Sequence, residues 1–172
     1  MTLISHMTIA YLLSCFFNLN PTLAIIGSIF PDLIETPFAL KHRKESHEIF
    51  FTLIFTFFVF FIFPKIFTNS PLLNYLKAFT LGYASHILLD ALTISGVYFF
   101  PLKKRICLAP FLKIKTASFS EFIFIALSST ALGILILIKP ILVHYLSYST
   151  LHKKGIIDKK EFLEGIFNRW KE

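Results

Sequence analysis

The sequence predicts an all-α fold, in which a multi-pass bundle of membrane helices is followed by a short soluble C-terminal helix. Composition favours a bilayer as the solvent, because 55% of the 172 residues are hydrophobic, only 16% are charged, and the mean hydropathy is +0.70. Soluble chains usually carry about 25% charged residues. No linker, repeat or low-complexity tract divides the chain, so we expect one membrane domain over residues 1–148 and a basic tail over residues 149–172.

Basic residues cluster at the ends of apolar runs. The clusters are Lys41, Arg43 and Lys44, then Lys103, Lys104 and Arg105, then Lys153 and Lys154. This placement is typical of contacts with lipid headgroups, and it favours membrane lipid over nucleic acid as the reason for the net charge of +7. We therefore expect a multi-pass membrane protein with lipid as a partner and no nucleic-acid partner. Because basic residues lie on both sides of any threading, the orientation stays open.

Two segments are apolar enough to span a bilayer. Ile49–Pro64 would cover about 24 Å as a helix, which crosses a hydrocarbon core of about 30 Å once flanking residues are included. Ser46 is a candidate cap for its start. The second segment is Phe122–Ile138, and the proline at position 140 is expected to end that helix.

A third segment, Ala78–Phe100, is long enough to span but carries His86 and Asp90, so it predicts a buried helix with a polar stripe. The spacing i, i+4 places these two side chains on one face, with Cβ atoms about 5–6 Å apart. Both can reach one metal ion. The alternative is a His–Asp hydrogen bond inside a structural bundle, and the pair alone does not separate the two interpretations.

A fourth segment, Pro21–Leu40, is apolar apart from Asp32, Glu35 and a few hydroxyls. Pro31 and Pro37 predict that its helix is broken, since proline removes a backbone donor. The carboxylates have two interpretations here. They are either metal ligands, or Asp32 caps the first turn of a new helix.

The remaining polar segments are connections and the tail. The charged connector His42–Glu48 carries two histidines and Arg43, and a solvated interfacial loop is its simpler interpretation. Lys103–Lys115 predicts an interfacial basic loop. Ser147–Glu172 predicts a soluble tail, in which Asp158 and Glu161 form the capping box of a short amphipathic helix.

The acidic residues of these apolar segments need a compensating positive charge. A charged residue near the centre of a spanning helix costs about 2.5–3.5 kcal/mol, so Asp32, Glu35 and Asp90 together would cost about 8–10 kcal/mol without compensation. No cation lies inside the apolar segments, whereas imidazoles do. Carboxylate and imidazole without thiolate form a ligand set for Zn²⁺, Mn²⁺ or Fe²⁺.

The order of these polar residues resembles a bacterial inner-membrane family of LexA-regulated proteins described as metal-dependent hydrolases. The resemblance covers about the first hundred residues. It rests on His6, GSIFPD at Gly27–Asp32, HRxxSH at His42–His47, GYxSHxxxD at Gly82–Asp90, TxxG at Thr93–Gly96, and Pro101. It implies a multi-pass protein of the inner (plasma) membrane with an embedded site that binds a divalent metal ion.

The order His, Asp, His, His-x-x-x-Asp is also similar to the first half of the metal site of zinc-dependent phospholipases C and related single-strand nucleases. That similarity implies Asp32, His47, His86 and Asp90 around one ion, with His6 and a shared Asp90 on a second. No further His-x-x-x-Asp/Glu pair follows Asp90, and the N-terminal tryptophan ligand is missing. The resemblance therefore implies one or two ions, with zinc as the expected metal.

These residues predict metal-dependent hydrolysis of a phosphoester such as a phospholipid headgroup. A bound metal ion activates water at neutral pH, Glu35 is the candidate proton acceptor, and Arg43 is the candidate ligand for a phosphate oxygen. Arg43 has a simpler role as a charge that sets topology. Two other functions stay open: an ion or proton transporter, since intramembrane carboxylates and imidazoles form such pathways, and a non-catalytic protein whose metal ion holds its helices together.

Overall fold

A computed structural model describes residues 1–35, 48–67, 70–102, 104–153, 161, 163 and 164, and it is mostly helical. The helices are α1 (Leu3–Phe17), α2 (Pro21–Glu35), α3 (Ile49–Phe57), α4 (Phe63–Ile66), α5 (Pro71–Leu92) and α6 (Phe119–Lys153). The strands are β1 (Val97–Phe99) and β2 (Lys104–Ile106), which form a small antiparallel hairpin. Backbone contacts divide the chain into two units, Met1–Thr130 and Ala131–Glu172.

Helices α1, α2 and α5 pack against one another through small residues. Ala10, Ala24 and Ala78 are completely buried. A Cβ atom on Gly82 would lie 1.9 Å from the carbonyl oxygen of Ala24, and one on Gly27 would lie 2.1 Å from that of Phe79. Glycine therefore lets the backbones of α2 and α5 touch, as small residues do between membrane helices.

The helix predicted at Ile49–Pro64 is present and is slightly longer. Helix α3 continues through a π-helical turn into α4, so residues Ile49–Ile66 form one candidate membrane span with a mean hydropathy of 2.3. Only 11% of that span is buried. The helix begins at a different cap than expected, because the Glu48 carboxylate accepts a hydrogen bond from the backbone N–H of Phe51. Ser46 lies outside the described residues.

Helix α6 contains a second candidate span, Phe119–Leu151, and 6% of an 18-residue apolar stretch within it is buried. The expectation that Pro140 ends this helix is wrong, since α6 runs on to Lys153. Likewise α2 passes through Pro31 without a break. Each proline removes one backbone donor, but neighbouring groups in membrane helices commonly compensate for that loss. Pro37 lies outside the described residues.

Helix α5 ends at Leu92, not at Phe100 as its apolar run predicts. The Thr93 hydroxyl donates to the carbonyl of Asp90, and Gly96 has a φ of +60°, a conformation that favours glycine. The chain then turns into β1, where Val97 packs with Ile87 in a small core. The last residues of the predicted helix are therefore the first strand of the hairpin.

Most of the predicted C-terminal helix lies outside the described residues. Within it, Glu161, Leu163 and Glu164 are helical, whereas Asp158 is not among the described positions. The predicted domain boundary at residue 148 stays a prediction.

Candidate metal centre

Three buried side chains from two helices meet at one point. His6 lies on α1, and His86 and Asp90 lie on α5. One ligand atom from each lies within 4.8 Å of the others. All three residues are at most 1% exposed. Asp90 joins the two rings, since its Oδ1 lies 3.4 Å from Nε2 of His6 and its Oδ2 lies 3.8 Å from Nε2 of His86.

The imidazole rings of His6 and His86 stack on one another. Their centroids are 3.7 Å apart and their planes differ by 17°. Two stacked cationic rings would repel each other, so this arrangement disfavours positive charge on both rings together. Neutral imidazole is the form that binds metal ions.

The backbone of α2 orients His86. Nδ1 of His86 lies 2.5 Å from the carbonyl oxygen of Ser28. A carbonyl only accepts, so Nδ1 carries the proton, and Nε2 of the neutral ring keeps its lone pair. Metal-binding histidines usually have this second hydrogen bond, which holds the ring and its tautomer. Nε2 of His86 points towards Asp90 and towards Asp32, whose Oδ1 is 3.7 Å away.

Asp32 lies on the open side of the cluster. Its side chain is 41% exposed, whereas those of His86 and Asp90 are almost fully buried. Asp32 is therefore the side chain of the cluster that an approaching ligand or substrate would contact first.

A glutamate from α6 holds the start of α1. Glu121 is 2% exposed, and its Oε1 accepts hydrogen bonds from the backbone N–H of Thr2 at 2.6 Å and from the Ser5 hydroxyl at 2.5 Å. Its Oε2 accepts from the backbone N–H of Ala117 at 2.7 Å. Ser5 directly precedes His6, so this carboxylate positions the first turn of α1 and with it the His6 ring.

The donor set fits a divalent ion. Donors around tetrahedral zinc lie about 2.0–2.2 Å from the ion and therefore about 3.4 Å from one another. The distances from the Asp90 oxygens to the two Nε2 atoms, 3.4 and 3.8 Å, are close to that spacing. Nδ1 of His6 is buried and has no hydrogen-bond partner among the described residues, so the bonding of this ring is incomplete without a further group.

The Asp90 carboxylate has a positive partner within the protein. Burial raises the pKa of the Asp90 carboxyl, but the hydrogen bond with His6 and the positive charge of the Met1 amino group outweigh it and lower that pKa below its ordinary value. The Met1 amino group donates to Asp90 Oδ1. Asp90 is therefore a buried carboxylate in its charged form, and the Met1 amino group supplies the positive charge with which such a group must be paired.

Four of the predicted site residues lie together, namely His6, Asp32, His86 and Asp90. Glu35 ends α2, but its side chain is not among the described ones, and Arg43 and His47 lie outside the described residues. Sequence reasoning missed the Ser28 carbonyl, which any residue supplies and which leaves no signal. It also missed Glu121, although the spacing of Ser118 and Glu121 is that of a capping box and marks the start of a helix.

A sequence model of the YdjM inner membrane protein family matches residues 1–156. That match includes every predicted site residue. Neither the curated proteins nor the solved structures gave a match. The resemblance to a bacterial inner-membrane family is thereby supported, whereas nothing supports the link to phospholipases C and nucleases.

Proposed function

Since the chain belongs to the YdjM inner membrane protein family, we propose that it is a multi-pass inner-membrane hydrolase that cleaves a phosphoester with a divalent metal ion. The observation that carries this proposal is the convergence of His6, His86 and Asp90, three buried donors within 4.8 Å of one another. Asp32 completes the ligand set from the open side. Zinc is the metal that two imidazoles and two carboxylates fit best.

Different residues of the chain would have different roles in hydrolysis. A bound divalent ion supplies a Lewis acid that activates water and polarises a phosphoryl oxygen. Because Nδ1 of His86 donates to the Ser28 carbonyl, Nε2 is the nitrogen that would bind the ion. We assign Glu35 as the proton acceptor and Arg43 as the group that binds a phosphate oxygen, and His47 as a further ligand.

The substrate we propose is a phospholipid, with cleavage at its headgroup phosphate. The water oxygen bonds to phosphorus, the bond between phosphorus and the lipid alcohol breaks, and the proton taken by Glu35 passes to the leaving oxygen. Location supports this choice, because a site in an inner-membrane protein is surrounded by phospholipid at high local concentration.

Purified protein tests the proposal directly. Protein in detergent would be analysed for bound metals by mass spectrometry, and then incubated with phosphatidylethanolamine and phosphatidylglycerol in mixed micelles. We expect one or two zinc ions per chain, release of the phosphorylated headgroup, loss of both after chelation, and recovery on addition of zinc. Manganese or iron in place of zinc would correct the metal. Protein without any bound metal would refute the proposal.

A metal ion that only holds the helices together is the second candidate. The observation that favours it is the burial of His6, His86 and Asp90, since structural metal sites are closed and catalytic sites keep an open position. The same experiment separates the two. Stoichiometric metal without turnover of any phospholipid supports the structural role.

A further inference from the structure

A groove of about 340 Å³ lies between α2, α3 and α5. Its described lining consists of Phe30, Phe51, Phe55, Phe79 and Tyr83 together with Glu48 and Thr52. This volume is within the range of about 300–1,000 Å³ that is typical of ligand sites. Aromatic rings therefore form most of its wall.

Besides the hydroxyl of Tyr83, the groove has two polar side chains, Glu48 and Thr52, and both are bonded to the protein. The Glu48 carboxylate accepts hydrogen bonds from the backbone N–H groups of Phe51 and Phe100, at 2.8 and 2.5 Å. The Thr52 hydroxyl donates to the carbonyl of Glu48 at 2.8 Å. Neither needs a polar ligand, so an apolar occupant fits the groove without leaving these groups unsatisfied.

The groove opens beside the exposed face of a candidate membrane span. Phe51 and Phe55 belong to the candidate span Ile49–Ile66, and they are 57% and 46% exposed. Residues 48–55 lie at the start of this span and extend about 10 Å along the helix, about a third of the hydrocarbon core, so in a bilayer the groove would lie within one leaflet. Water is not available there to fill an apolar gap, whereas lipid chains are.

The groove is also aligned with the metal centre. Phe79, Tyr83, His86 and Asp90 recur at intervals of four, three and four residues, which places them along one side of α5. Tyr83 lies about 4.5 Å and Phe79 about 10 Å from His86 along the helix axis. A lipid with its phosphate at His86 and Asp90 would therefore have an aliphatic chain beside Tyr83 and Phe79.

We infer that this groove binds one acyl chain of a membrane glycerophospholipid, the lipid whose headgroup lies at the metal centre. The inference rests on the proposed function for the headgroup, but the groove is a separate binding site with its own residues. Binding of an acyl chain in the groove would require a substrate that is embedded in the bilayer, and it would favour lipids with a long aliphatic chain.

Photolabelling tests this inference. Full-length protein would be reconstituted into vesicles of phosphatidylethanolamine and phosphatidylglycerol that contain a phosphatidylethanolamine tracer with a diazirine in one acyl chain. After irradiation, labelled residues would be mapped by mass spectrometry. We expect label at Thr52, Phe79 and Tyr83 at about tenfold the level at Leu53, which corresponds to a preference of about 1.4 kcal/mol. Leu53 lies on the same helix and is 60% exposed.

A matched pair of variants supplies the control. Thr52→Phe fills the groove, whereas Thr56→Phe makes the same change one turn further along α3 at a residue that does not line it. In both, a hydroxyl that donates to the carbonyl four residues earlier is lost. We expect Thr52→Phe to remove the labelling of Tyr83 and Thr56→Phe to keep it. Labelling of the wild-type protein decides the question even where Thr52→Phe does not fold.

The outcomes separate the groove from the hydrolase. In one outcome, His86→Ala is labelled at the wild-type level and the wild-type protein hydrolyses no phospholipid. This outcome would support the groove as an acyl-chain site and overturn the proposed function. Hydrolysis together with equal labelling of Leu53 and Tyr83 would overturn the groove alone. Removal of the label by a polyprenyl phosphate, but not by the same amount of unlabelled phosphatidylethanolamine, would also overturn the inference.

Discussion

The carbonyl oxygen of Ser28 and the imidazole of His86 form the hydrogen bond that decides which nitrogen of His86 faces the carboxylates. The two residues are 58 positions apart in the chain, and the two atoms are 2.5 Å apart in the structure. Because Nδ1 donates to the carbonyl, Nε2 is the nitrogen that faces Asp90 and Asp32. The metal centre therefore depends on the packing of α2 against α5.

His86→Ala should lower both the metal content and the stability of the protein. The substitution removes one imidazole donor of the ion and deprives the buried Ser28 carbonyl of its hydrogen bond, a loss that costs about 1–3 kcal/mol for a buried polar group. Metal content by mass spectrometry and the Tm in detergent measure the two effects, with and without chelator. His144→Ala, a histidine of α6, is the control and should change neither. If wild type and His86→Ala contain equal amounts of metal, and chelator changes the Tm of neither, then His86 and Asp90 are a structural His–Asp pair and not metal ligands.

Asp90→Asn should be at least as damaging to metal binding. The change keeps the volume of the side chain but removes the charge that joins the two rings. We expect metal content to fall to the level of His86→Ala or below, measured in the same preparations. Retention of full metal occupancy by Asp90→Asn would show that this carboxylate is not a ligand.

Gly82→Ala should displace α2 from α5. The added Cβ would lie 1.9 Å from the Ala24 carbonyl, a backbone atom that does not yield, and overpacking of this kind typically costs about 1–3 kcal/mol. Ser28 and Asp32 move with α2, so metal content should fall as well as the Tm. Gly133→Ala in α6 is the matched control, because a Cβ there meets nothing within 4 Å. If both alanine variants melt alike, the close contact of these helices has no part in stability.

Glu121→Ala should loosen the first turn of α1. Three donors, the N–H and hydroxyl of Thr2 and the hydroxyl of Ser5, would lose their common acceptor, at a cost of about 1–3 kcal/mol for groups left buried and unsatisfied. Hydrogen exchange of the first amides of α1 should accelerate, and metal content should drop because His6 moves. Glu121→Gln keeps one acceptor oxygen and should restore most of the metal. An unchanged exchange rate in Glu121→Ala would contradict the role of this contact.

The protein should stay in the membrane fraction after carbonate or high-salt extraction. The two candidate spans found among the described residues have a mean hydropathy of 2.3. Only 11% of Ile49–Ile66 and 6% of an 18-residue apolar stretch within Phe119–Leu151 are buried, so both would expose a large apolar surface to water. Fractionation with immunodetection measures this. Folded monomer in the supernatant without detergent would refute the membrane assignment.

The sequence by itself determined the features that depend on neighbouring residues. The apolar runs gave both candidate spans, since hydropathy is a sum over consecutive side chains. The i, i+4 spacing placed His86 and Asp90 on one face of α5, because the period of a helix is local. Proline was less informative than expected, since α2 and α6 both continue through one.

Tertiary packing decided the rest of the site. Only the contact of α1 with α5 stacks His6 on His86, and only the close approach of α2 at Gly82 brings the Ser28 carbonyl and Asp32 to the same ring. Glu121 reaches Thr2 and Ser5 from 116 or more residues away. The physical reason is that periodicity fixes directions within one helix, whereas distances between helices follow from which surfaces fit together, and no local pattern in the chain records that fit.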